Sequence, residues 1–454
     1  MGVESELLAR FWSAVSDRPH PAVSFVGEGT LDSRHAVSEF AAAAIATAGL
    51  AAGETVVDRV LADAWFRQAL RPVGWELPSP WDSLAGDYRT ADGWIRLHTN
   101  APHHRLAALL VLGVTERAQP RRGAAVVGHD PEPDIDFAAE REHERQDVAD
   151  AVAQWNGTDL ETELVDAGGA AAVLRSAAEW AAHPQGSALA AEPLIAWTFR
   201  DPVVEPVETF KVLDLTRVIA GPVATRFLAG LGADVLRIDP VDWDEPAIVP
   251  EMTLGKRAAR ANFLDAGGMR KLGLLIAEAD VIVHGYRADA LERLGLGDDE
   301  IRAINPGIVD VAIDAYGWSG PWRNRRGFDS LVQMSAGIAM GPDGVPSPLP
   351  VQALDHATGY LAAAAVLEGL RRRRESGQGS TARLSLARTA RELPLGGQPA
   401  VPAPHLPTHS LDTPWGTAAL LQSPLTVDGN PLRWQRLPRP LGTDKPVWTS
   451  VSPD

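Results

Sequence analysis

The sequence predicts an α/β protein whose central sheet is parallel and covered by helices on both faces. Two observations support this prediction. From residue 211 onward, short runs that are apolar almost throughout alternate with amphipathic stretches of helical length. Strands of that composition are typical of parallel sheets, which bury both of their faces. In addition, 45% of the residues are hydrophobic and 22% are charged, which is enough apolar material for a packed core.

The strands and helices are expected to alternate regularly in this half of the chain. The predicted strands are residues 211–216, 233–238, 280–284 and 307–313. A helix is expected from Gly221 to Leu231, because a Gly-Pro pair tightens the turn before it and proline suits the first helical turn. A second helix is expected over 266–279. This order of strand, helix and strand predicts βαβ units.

Charge and composition exclude several classes of partner and site. The 454-residue chain has a formal net charge of −17, and an acidic surface repels phosphate backbones and anionic headgroups. We therefore expect neither a nucleic acid nor a membrane partner. The absence of cysteine excludes disulfides, thiolate metal sites and a cysteine nucleophile. The N-terminus lacks a basic and apolar leader, which predicts a cytoplasmic location.

Changes in composition divide the chain into four predicted pieces. Residues 1–85 contain two helical runs rich in alanine and leucine, and residues 86–200 open with a short alternating strand. A linker with proline and acidic residues at 203–207 leads into the α/β piece, residues 205–393. The last piece, residues 394–454, is predicted to be a linker followed by a short proline-rich tail.

A weak internal repeat connects the first and third pieces. The His-Ala pair at 35–36 and the run at 40–45 match the His-Ala pair at 356–357 and the run at 361–366 at the same separation. Alanine-rich helices match by chance easily, so the residues alone leave duplication and coincidence both open.

Asp355 is the candidate catalytic residue. It follows the glycine- and proline-rich stretch 341–350 and stands just before an alanine-rich helical run. An aspartate in such a place is commonly a helix cap. The alternative is a carboxylate nucleophile at the mouth of a cleft. The sequence contains no zinc-protease, serine-hydrolase or phosphate-loop motif, and no histidine spacing suits a metal.

Basic residues recur in the α/β piece of this otherwise acidic chain. They are Lys256, Arg257, Arg287, Arg293, Arg323, Arg325 and Arg326. As a set they are candidates for binding a phosphorylated cofactor, although a single one of them is more commonly a solvated surface charge. The turn before Gly221 adds backbone N–H groups at the mouth of a parallel sheet, where ligands generally bind.

Ordered motifs over residues 212–386 resemble the family III CoA-transferases, also called the CaiB/BaiF family. The motifs are VLDLTRVIAGP at 212–222, LGADVLRID at 231–239, GKR at 255–257, ADVIVHGY at 279–286, ALERLGL at 290–296, GFD at 327–329 and LSL at 384–386. The resemblance implies a Rossmann-like large domain with a smaller α+β domain, and two interlocked protomers in a homodimer.

This resemblance also implies a CoA-transferase in which Asp355 is the nucleophile. The carboxylate would attack an acyl-CoA to give a mixed anhydride, and CoA would return to give an aspartyl-CoA thioester that activates the acceptor acid. The implied partners are therefore an acyl-CoA and a carboxylic acid. CoA serves as a substrate, no cofactor is bound permanently, and no metal is needed.

The resemblance assigns further residues to CoA by position. The pantetheine is expected beside Val218 and Ile219, the adenine beside Phe263 and Ala290, and the phosphates near Arg293 and Arg326. Ile219 stands where some transferases carry glutamine, so its side chain offers no oxyanion assistance.

Two other functions stay open. Related α-methylacyl-CoA racemases have histidine where Phe328 stands, and racemisation needs a second acid or base that phenylalanine cannot supply. His356 is the substitute nearest in sequence. The second alternative is a non-catalytic CoA-binding member of the family.

The order of the parts differs from the family's order. The small domain of family members follows the LSL strand, whereas here residues 86–200 resemble it and come first, and residues 413–442 resemble the returning tail. Residues 1–85 then resemble a degenerate partial copy of the catalytic-domain helices, in which Arg34 stands opposite Asp355.

Overall fold

A computed structural model describes most of the chain. The described residues are 2–116, 137–202, 210–287, 289–397, 399 and 405–448. The linker predicted at 203–207 lies outside them. The chain divides into two compact units, of which the first comprises Met1–Pro78, His183–Asp329 and Leu349–Asp454, and the second Ser79–Ala182 and Ser330–Pro348. Across the described ranges, no helix is both long and apolar enough to cross a membrane.

The elements follow one another along the chain as two series. The helices are α1 Val3–Val15, α2 Val37–Leu50, α3 Arg59–Arg67, α4 Pro102–Leu112, α5 Phe137–Val152, α6 Gly157–Asp166, α7 Ala177–Ala182, α8 Pro184–Ala190, α9 Ala220–Gly230, α10 Val249–Met252, α11 Ala266–Glu278, α12 Ala290–Arg293, α13 Asp298–Ile304, α14 Asp329–Ser335, α15 Ala353–Ser376 and α16 Leu386–Ala390. The strands are β1 Val23–Val26, β2 Thr55–Asp58, β3 Leu70–Pro72, β4 Gly86–Arg89, β5 Trp94–Leu97, β6 Ala171–Val173, β7 Ala196–Phe199, β8 Lys211–Leu215, β9 Asp234–Asp239, β10 Arg257–Arg260, β11 Val281–His284, β12 Val309–Asp314, β13 Ser380–Ser385, β14 Thr408–Thr413, β15 Gly416–Leu421, β16 Leu425–Val427 and β17 Asn430–Pro431.

The first unit contains the predicted parallel sheet, with strand order β10-β9-β8-β11-β12-β13-β7. Neighbouring strands are parallel except for β7, which is antiparallel to β13. Counted from β8, the parallel strands run 3-2-1-4-5-6, the order of a Rossmann-like sheet. The α/β prediction is confirmed. The chain reverses its direction of winding between β8 and β11, and ligands of such sheets bind at the carboxyl ends beside that point.

Apolar residues on the strands explain why helices cover this sheet. Leu213, Leu236 and Ile282 belong to one core cluster with Leu272 and Ile276 of α11. Burying such side chains contributes roughly 1.5–3 kcal/mol each relative to full exposure. The four predicted strands and the helix over 266–279 agree with the observed elements to within two residues.

Helix α15 is packed between two other helices, α9 and α2. Its first half is rich in alanine, and small side chains let helix backbones approach closely. The tightest approach is at Gly359, where an added Cβ atom would lie 2.4 Å from the carbonyl oxygen of Ala220 and 3.0 Å from the Cβ of Val223. Glycine is therefore required at position 359 for α15 and α9 to pack as they do.

The N-terminal and C-terminal segments of the chain form sheets together. Strand β16 pairs with β2, and β15 pairs with β3, both antiparallel. Strand β7 adds to the large sheet through β13. Residues 183–200 belong to the first unit, and residues 79–182 belong to the second.

The starts of α2 and α15 have similar backbone geometry, but this similarity pairs Ala36 with Gln352, whereas the repeat noted in the sequence pairs Ala36 with Ala357. The residues before the two helices, Ala36 and Gln352, have φ and ψ of −74° and 62°, and −77° and 65°. Each helix is followed by a strand and a shorter helix. Aligning the helix starts places Glu39 opposite Asp355, whereas the alignment of the sequence repeat places Arg34 there.

The second unit has a sheet of its own, in the order β4-β5-β6, with antiparallel pairing. Tyr88 and Ile95 from this sheet pack with Val148 of α5 and Leu160 of α6 in one core cluster. This unit thus has an apolar core separate from that of the parallel sheet.

Replacement of Gly359 by alanine tests the close packing of α15 on α9. The added methyl group must displace the backbone of Ala220, so we expect the free energy of unfolding to fall by about 1–3 kcal/mol, measured by urea denaturation. Gly273 of α11 is the matched control, since a Cβ atom there would meet only Ile304 at 4.0 Å. Gly273→Ala should stabilise the protein by up to ~1 kcal/mol. Equal effects of the two substitutions would contradict the packing argument.

Candidate functional site

Asp355 lies in the first turn of α15, and its side chain is buried. Residues 353–366 are all buried, so this part of the helix has no face toward water. Asp355 itself is 7% exposed. Within the described part of the chain, no hydrogen-bond donor reaches its carboxylate. The helix packing therefore encloses a carboxyl group without giving it a structural partner.

Asp329 performs the capping role that the sequence alone left open for Asp355. The Oδ2 atom of Asp329 accepts hydrogen bonds from the backbone N–H groups of Leu354, at 2.8 Å, and Asp355, at 2.9 Å. A helix start leaves such amide groups without an intrahelical acceptor. Because another residue caps α15, a structural cap does not account for an aspartate at position 355.

Burial and, next, the negative charge of Asp329 raise the pKa of Asp355 well above its ordinary value. The ionised carboxylate would lose its hydration here and gain no hydrogen bonds in return. Such a group is stabilised whenever it becomes neutral, either by binding a proton or by bonding to an electrophile. Its surroundings thus favour acylation of Asp355 once it is ionised.

The turn from β8 to α9 lies against the same helix, through the contact of Gly359 with Ala220. Val218 and Ile219, the residues predicted beside the pantetheine, form this turn. Val218 has a φ of +65°, and Ile219 directly precedes α9. The first amide groups of a helix have no intrahelical acceptor and carry its positive dipole end. A developing oxyanion is stabilised by such a group of donors.

Three arginines come together at the carboxyl ends of the central strands. Arg217 follows β8, Arg287 follows β11, and Arg326 lies in the segment after β12. Burial and then the positive charges of Arg287 and Arg217 lower the pKa of Arg326. Strands β8 and β11 flank the point where the winding reverses, so this cluster lies at the crevice that ligands of such sheets use. Several guanidinium groups in one place favour a ligand with phosphate groups.

Arg293, the other arginine predicted near the phosphates, has different surroundings. It ends α12, its side chain is 62% exposed, and it forms an ion pair with Asp289 one turn earlier. An exposed pair of this kind holds its charges weakly, so the arginine is free to exchange Asp289 for another anion. Its assignment to CoA stays a prediction.

The two residues predicted beside the adenine lie near one region of the core. Phe263 is partly buried against the cluster that contains Leu291, and Ala290 precedes Leu291 at the start of α12. An aromatic ring at the edge of a core offers a face on which a base stacks. The adenine assignment also stays a prediction.

Lys256 and Arg257 have structural roles in the interior. Lys256 Nζ lies 3.0 Å from Asp214 Oδ2 and donates to the carbonyl oxygen of Pro222, and burial lowers the pKa of Lys256 to about 8. Arg257 pairs with Asp234 at 2.8 Å. These residues connect β8, β9 and β10 to one another, and the structure places them in ion pairs within the protein.

His356, next to Asp355 in sequence, is enclosed by aromatic residues. Its ring stacks on Phe66 of α3, with centroids 4.8 Å apart, and Tyr360 lies 6.0 Å from the same phenyl ring. Burial lowers the pKa of His356 to about 3, so the imidazole is neutral and a weak base near neutral pH. It is poorly suited to replace the second acid or base that racemisation needs.

The sequence did not single out Arg217, and it recorded Asp329 only as part of a motif. Arg217 and Arg287 each follow a central strand within two or three residues, and this shared position was a usable signal, because the carboxyl ends of parallel strands meet at one edge. The capping role of Asp329 had no such signal, since its contact with α15 spans about 25 residues of chain.

Comparisons with known proteins agree on the region that contains these features. Residues 207–394 match the model of CoA-transferase family III. The chain is 32% identical over 190 residues to a probable fatty acyl-CoA transferase of Mycobacterium tuberculosis, covering 38% of this chain and 48% of that protein. It is 35% identical over 192 residues to the succinyl-CoA:glutarate CoA-transferase of Mus musculus, covering 39% of this chain and 44% of that protein.

Similarity to known proteins extends over only part of their length. The chain spans about half the length of these curated relatives, 48% and 44%. A crystal structure of the same M. tuberculosis protein shares 29% identity, covers 42% of this chain and 57% of its own, and has a TM-score of 0.38. The stretch matched by the family model contains both the β8–α9 turn and Asp355.

The pH dependence of stability tests the buried state of Asp355. Its native pKa lies above the unfolded value of about 3.9, so its favourable contribution is present below that value and is lost as the pH rises through the native pKa. Asparagine does not ionise, so Asp355→Asn does not lose stability as the pH rises through the native pKa of Asp355. We expect the variant to be more stable than wild type at pH 7.5 by on the order of 1 kcal/mol, with the difference shrinking toward pH 4, in urea unfolding across a pH series.

Asp343→Asn provides the control for this series. Asp343 is an exposed residue of the 341–350 loop, so its replacement should leave the pH profile unchanged. If Asp355→Asn were less stable than wild type at pH 7.5, the carboxylate would be stabilised by its surroundings and the description of the site would be wrong.

Proposed function

We propose that this chain is a CoA-transferase that moves CoA from an acyl-CoA to a carboxylic acid, with Asp355 as the nucleophile. The observation that carries the proposal is the carboxyl group of Asp355, which is buried and has no hydrogen-bond donor among the described residues. It lies one turn before Gly359, which packs against the start of α9. The names of the relatives support the same class of reaction.

In the first half-reaction, a carboxylate oxygen of Asp355 attacks the thioester carbonyl carbon. The carbon–sulfur bond breaks, CoA leaves as a thiolate, and a mixed anhydride joins the acyl group to Asp355. The thiolate then attacks the aspartyl carbonyl carbon of the anhydride, which releases the first carboxylic acid and leaves an aspartyl-CoA thioester. The poorly solvated carboxylate of Asp355 becomes neutral in this step, and this offsets part of the free-energy cost of forming the bond to the acyl carbon.

The second half-reaction reverses these steps with a different acid. The acceptor carboxylate attacks the aspartyl-CoA thioester, forming a new anhydride and releasing the thiolate. Attack of the thiolate on the acceptor's carbonyl carbon gives the new acyl-CoA and restores the carboxylate of Asp355. Each attack creates an oxyanion, and we assign its stabilisation to the first amide groups of α9, because Ile219 has no polar side chain.

Arg217, Arg287 and Arg326 are the residues we assign to the phosphates of CoA, with Arg293 as a further candidate. The cluster carries several positive charges in an acidic protein, which suits a small polyanion better than an extended one. Val218 and Ile219 would lie along the pantetheine arm, and Phe263 and Ala290 beside the adenine. CoA and acyl-CoA act as substrates in this scheme.

We also propose that residues 1–85 derive from a partial copy of the catalytic-domain helices, and that residues 86–200 contain the counterpart of the small domain. The matching helix starts at Ala36 and Gln352 support the first point. Two contacts connect residues 1–85 with α15 and with the segment after α16: Phe66 stacks on His356, and the carbonyl oxygen of Pro394 accepts a hydrogen bond from the N–H of Ala36. A homodimer and a cytoplasmic location stay predictions.

Asp355→Asn is the direct test of the nucleophile. The amide is nearly isosteric but cannot attack a thioester, so CoA transfer should be abolished while the fold is retained. Wild type is incubated with succinyl-CoA and with a fatty acyl-CoA, the donors named for the relatives, and then with hydroxylamine, and Asp355 is examined for modification by mass spectrometry. The modification should be present in wild type and in the Asp343→Asn control, and missing from Asp355→Asn.

Residual transfer decides the outcome for Asp355. Activity within about tenfold of wild type corresponds to a barrier change of only about 1.4 kcal/mol, and it would remove Asp355 from the role of nucleophile. CoA binding by wild type without transfer of any donor in a broad acyl-CoA panel would instead favour the non-catalytic alternative. Exchange of the α-proton of a branched acyl-CoA would favour the racemase.

Substitution of the clustered arginines should weaken binding rather than the chemical step. For Arg326→Ala we expect a loss of roughly 1.5–3 kcal/mol of binding free energy, seen as a raised KM for acyl-CoA with a nearly unchanged kcat. Arg293→Ala should act in the same direction but less, because that side chain is exposed. Arg302→Ala, which removes an exposed ion pair on α13, is the control. A fall in kcat at constant KM would contradict the assignment.

A further inference from the structure

Val218 has an unusual backbone conformation at the centre of the site. Its φ of +65° falls in the left-handed region, and the other non-glycine residue with positive φ in the described chain is Asp428. Aspartate tolerates this region, whereas a β-branched residue there is a clear outlier. Such strain persists only where the surrounding contacts impose it.

One side chain hydrogen-bonds to the backbone N–H of Val218. Glu245 Oε2 accepts a hydrogen bond from the N–H of Val218 at 3.0 Å and another from Trp243 Nε1 at 3.1 Å. Its second oxygen binds the guanidinium of Arg237, which is fully buried and also forms a two-point ion pair with Asp239, at 2.8 and 2.9 Å. The side chain of Glu245 is 8% exposed.

The conformation of Val218 has consequences on both sides of the turn. On one side, Ile219 leads into α9, whose first turn lies against Gly359 of α15. On the other side is Arg217, whose guanidinium lies over the ring of Trp243 at 4.7 Å. A change of φ at Val218 would therefore move the start of α9 and the neighbouring arginine relative to each other.

We propose that Glu245 is a positioning residue that holds Val218 in its left-handed conformation and so sets the start of α9 against Asp355. This inference rests on the proposed function for its effect on catalysis. Glu245 acts through the backbone of Val218. Arg237 fixes Glu245, and Glu245 in turn fixes the turn between β8 and α9.

A double substitution separates this role from general support of the fold. Glycine adopts positive φ without steric cost, so the turn should depend much less on Glu245 in a Val218→Gly background. We expect Glu245→Ala to lower kcat/KM for acyl-CoA at least tenfold relative to wild type. In the Val218→Gly background, the same substitution should lower kcat/KM less than threefold relative to Val218→Gly alone. Glu245→Gln, whose amide oxygen still accepts the N–H, should retain most of the activity.

If Glu245 contributes only stability through Arg237, its removal will cost the same factor in both backgrounds, and that result would overturn the proposal. Should Glu245→Ala fail to fold, Glu245→Met is measured in its place, because methionine fills a similar volume but cannot accept the N–H of Val218 as a carboxylate does: this variant must then lose more activity in the Val218 background than in the Val218→Gly background. Equal costs there would also reject it.

A second measurement needs no substrate. Urea unfolding of the same four proteins should show that Val218→Gly raises the midpoint when Glu245 is present, because strain is relieved, and does not when Glu245 is replaced by alanine. If the effects of the two substitutions on the urea midpoint are coupled but wild type transfers no CoA, the proposed function is rejected, while the result supports the role of Glu245 in fixing the conformation of Val218. Transfer by wild type with no coupling in either measurement would reject the role of Glu245 alone.

Discussion

The burial of the first half of α15 is the constraint on which the rest of the site depends. Residues 353–366 are enclosed, and helix axes can approach closely enough to enclose them only if the side chains between them are small. Alanine and glycine meet that requirement, and Gly359 meets it where α9 is nearest. An aspartate placed in the first turn of such a helix keeps little contact with water, and Asp355 is only 7% exposed. The unusual state of Asp355 thus follows from the packing of the first half of this helix.

Buried acids in this unit differ in what compensates their charge. Burial acts to raise the pKa of Asp214, but the ammonium of Lys256 and then the guanidinium of Arg237 outweigh it, so the pKa is lowered. Asp329 has two backbone N–H donors. Asp355 has neither kind of partner among the described residues. The contrast separates acids whose charge is compensated from acids whose ionised form the fold destabilises, a group that includes Asp355 and the buried Asp314, whose pKa burial also raises. Stored destabilisation of this kind is typical of functional sites.

Local features were predictable from the sequence, and contacts between distant segments were not. The strands of the parallel sheet and their helices follow from runs of apolar residues. The position of Asp355 before an alanine-rich run left a helix cap and a nucleophile both open, and only the resemblance of the surrounding motifs favoured the nucleophile. The cap from Asp329, the hold of Glu245 on Val218 and the pairing of β7 with β13 each join residues far apart in the chain, and no periodicity reports them. Arg34 was aligned with Asp355 by residue identity, whereas the backbone aligns Glu39, because similar alanine runs fit in several registers.

The pairing of early strands with late ones affects how the protein folds as it is made. Strands β2 and β3 leave the ribosome long before β16 and β15, and β7 long before β13. Until the partners are synthesised, the early strands present unpaired edges that are prone to association with other chains. The first unit therefore completes its hydrogen bonding only after β15 and β16 have been synthesised, and pairings so distant in sequence make its folding slow. Newly made chains of this protein would then depend on molecular chaperones to a degree that the stability of the finished fold does not reveal.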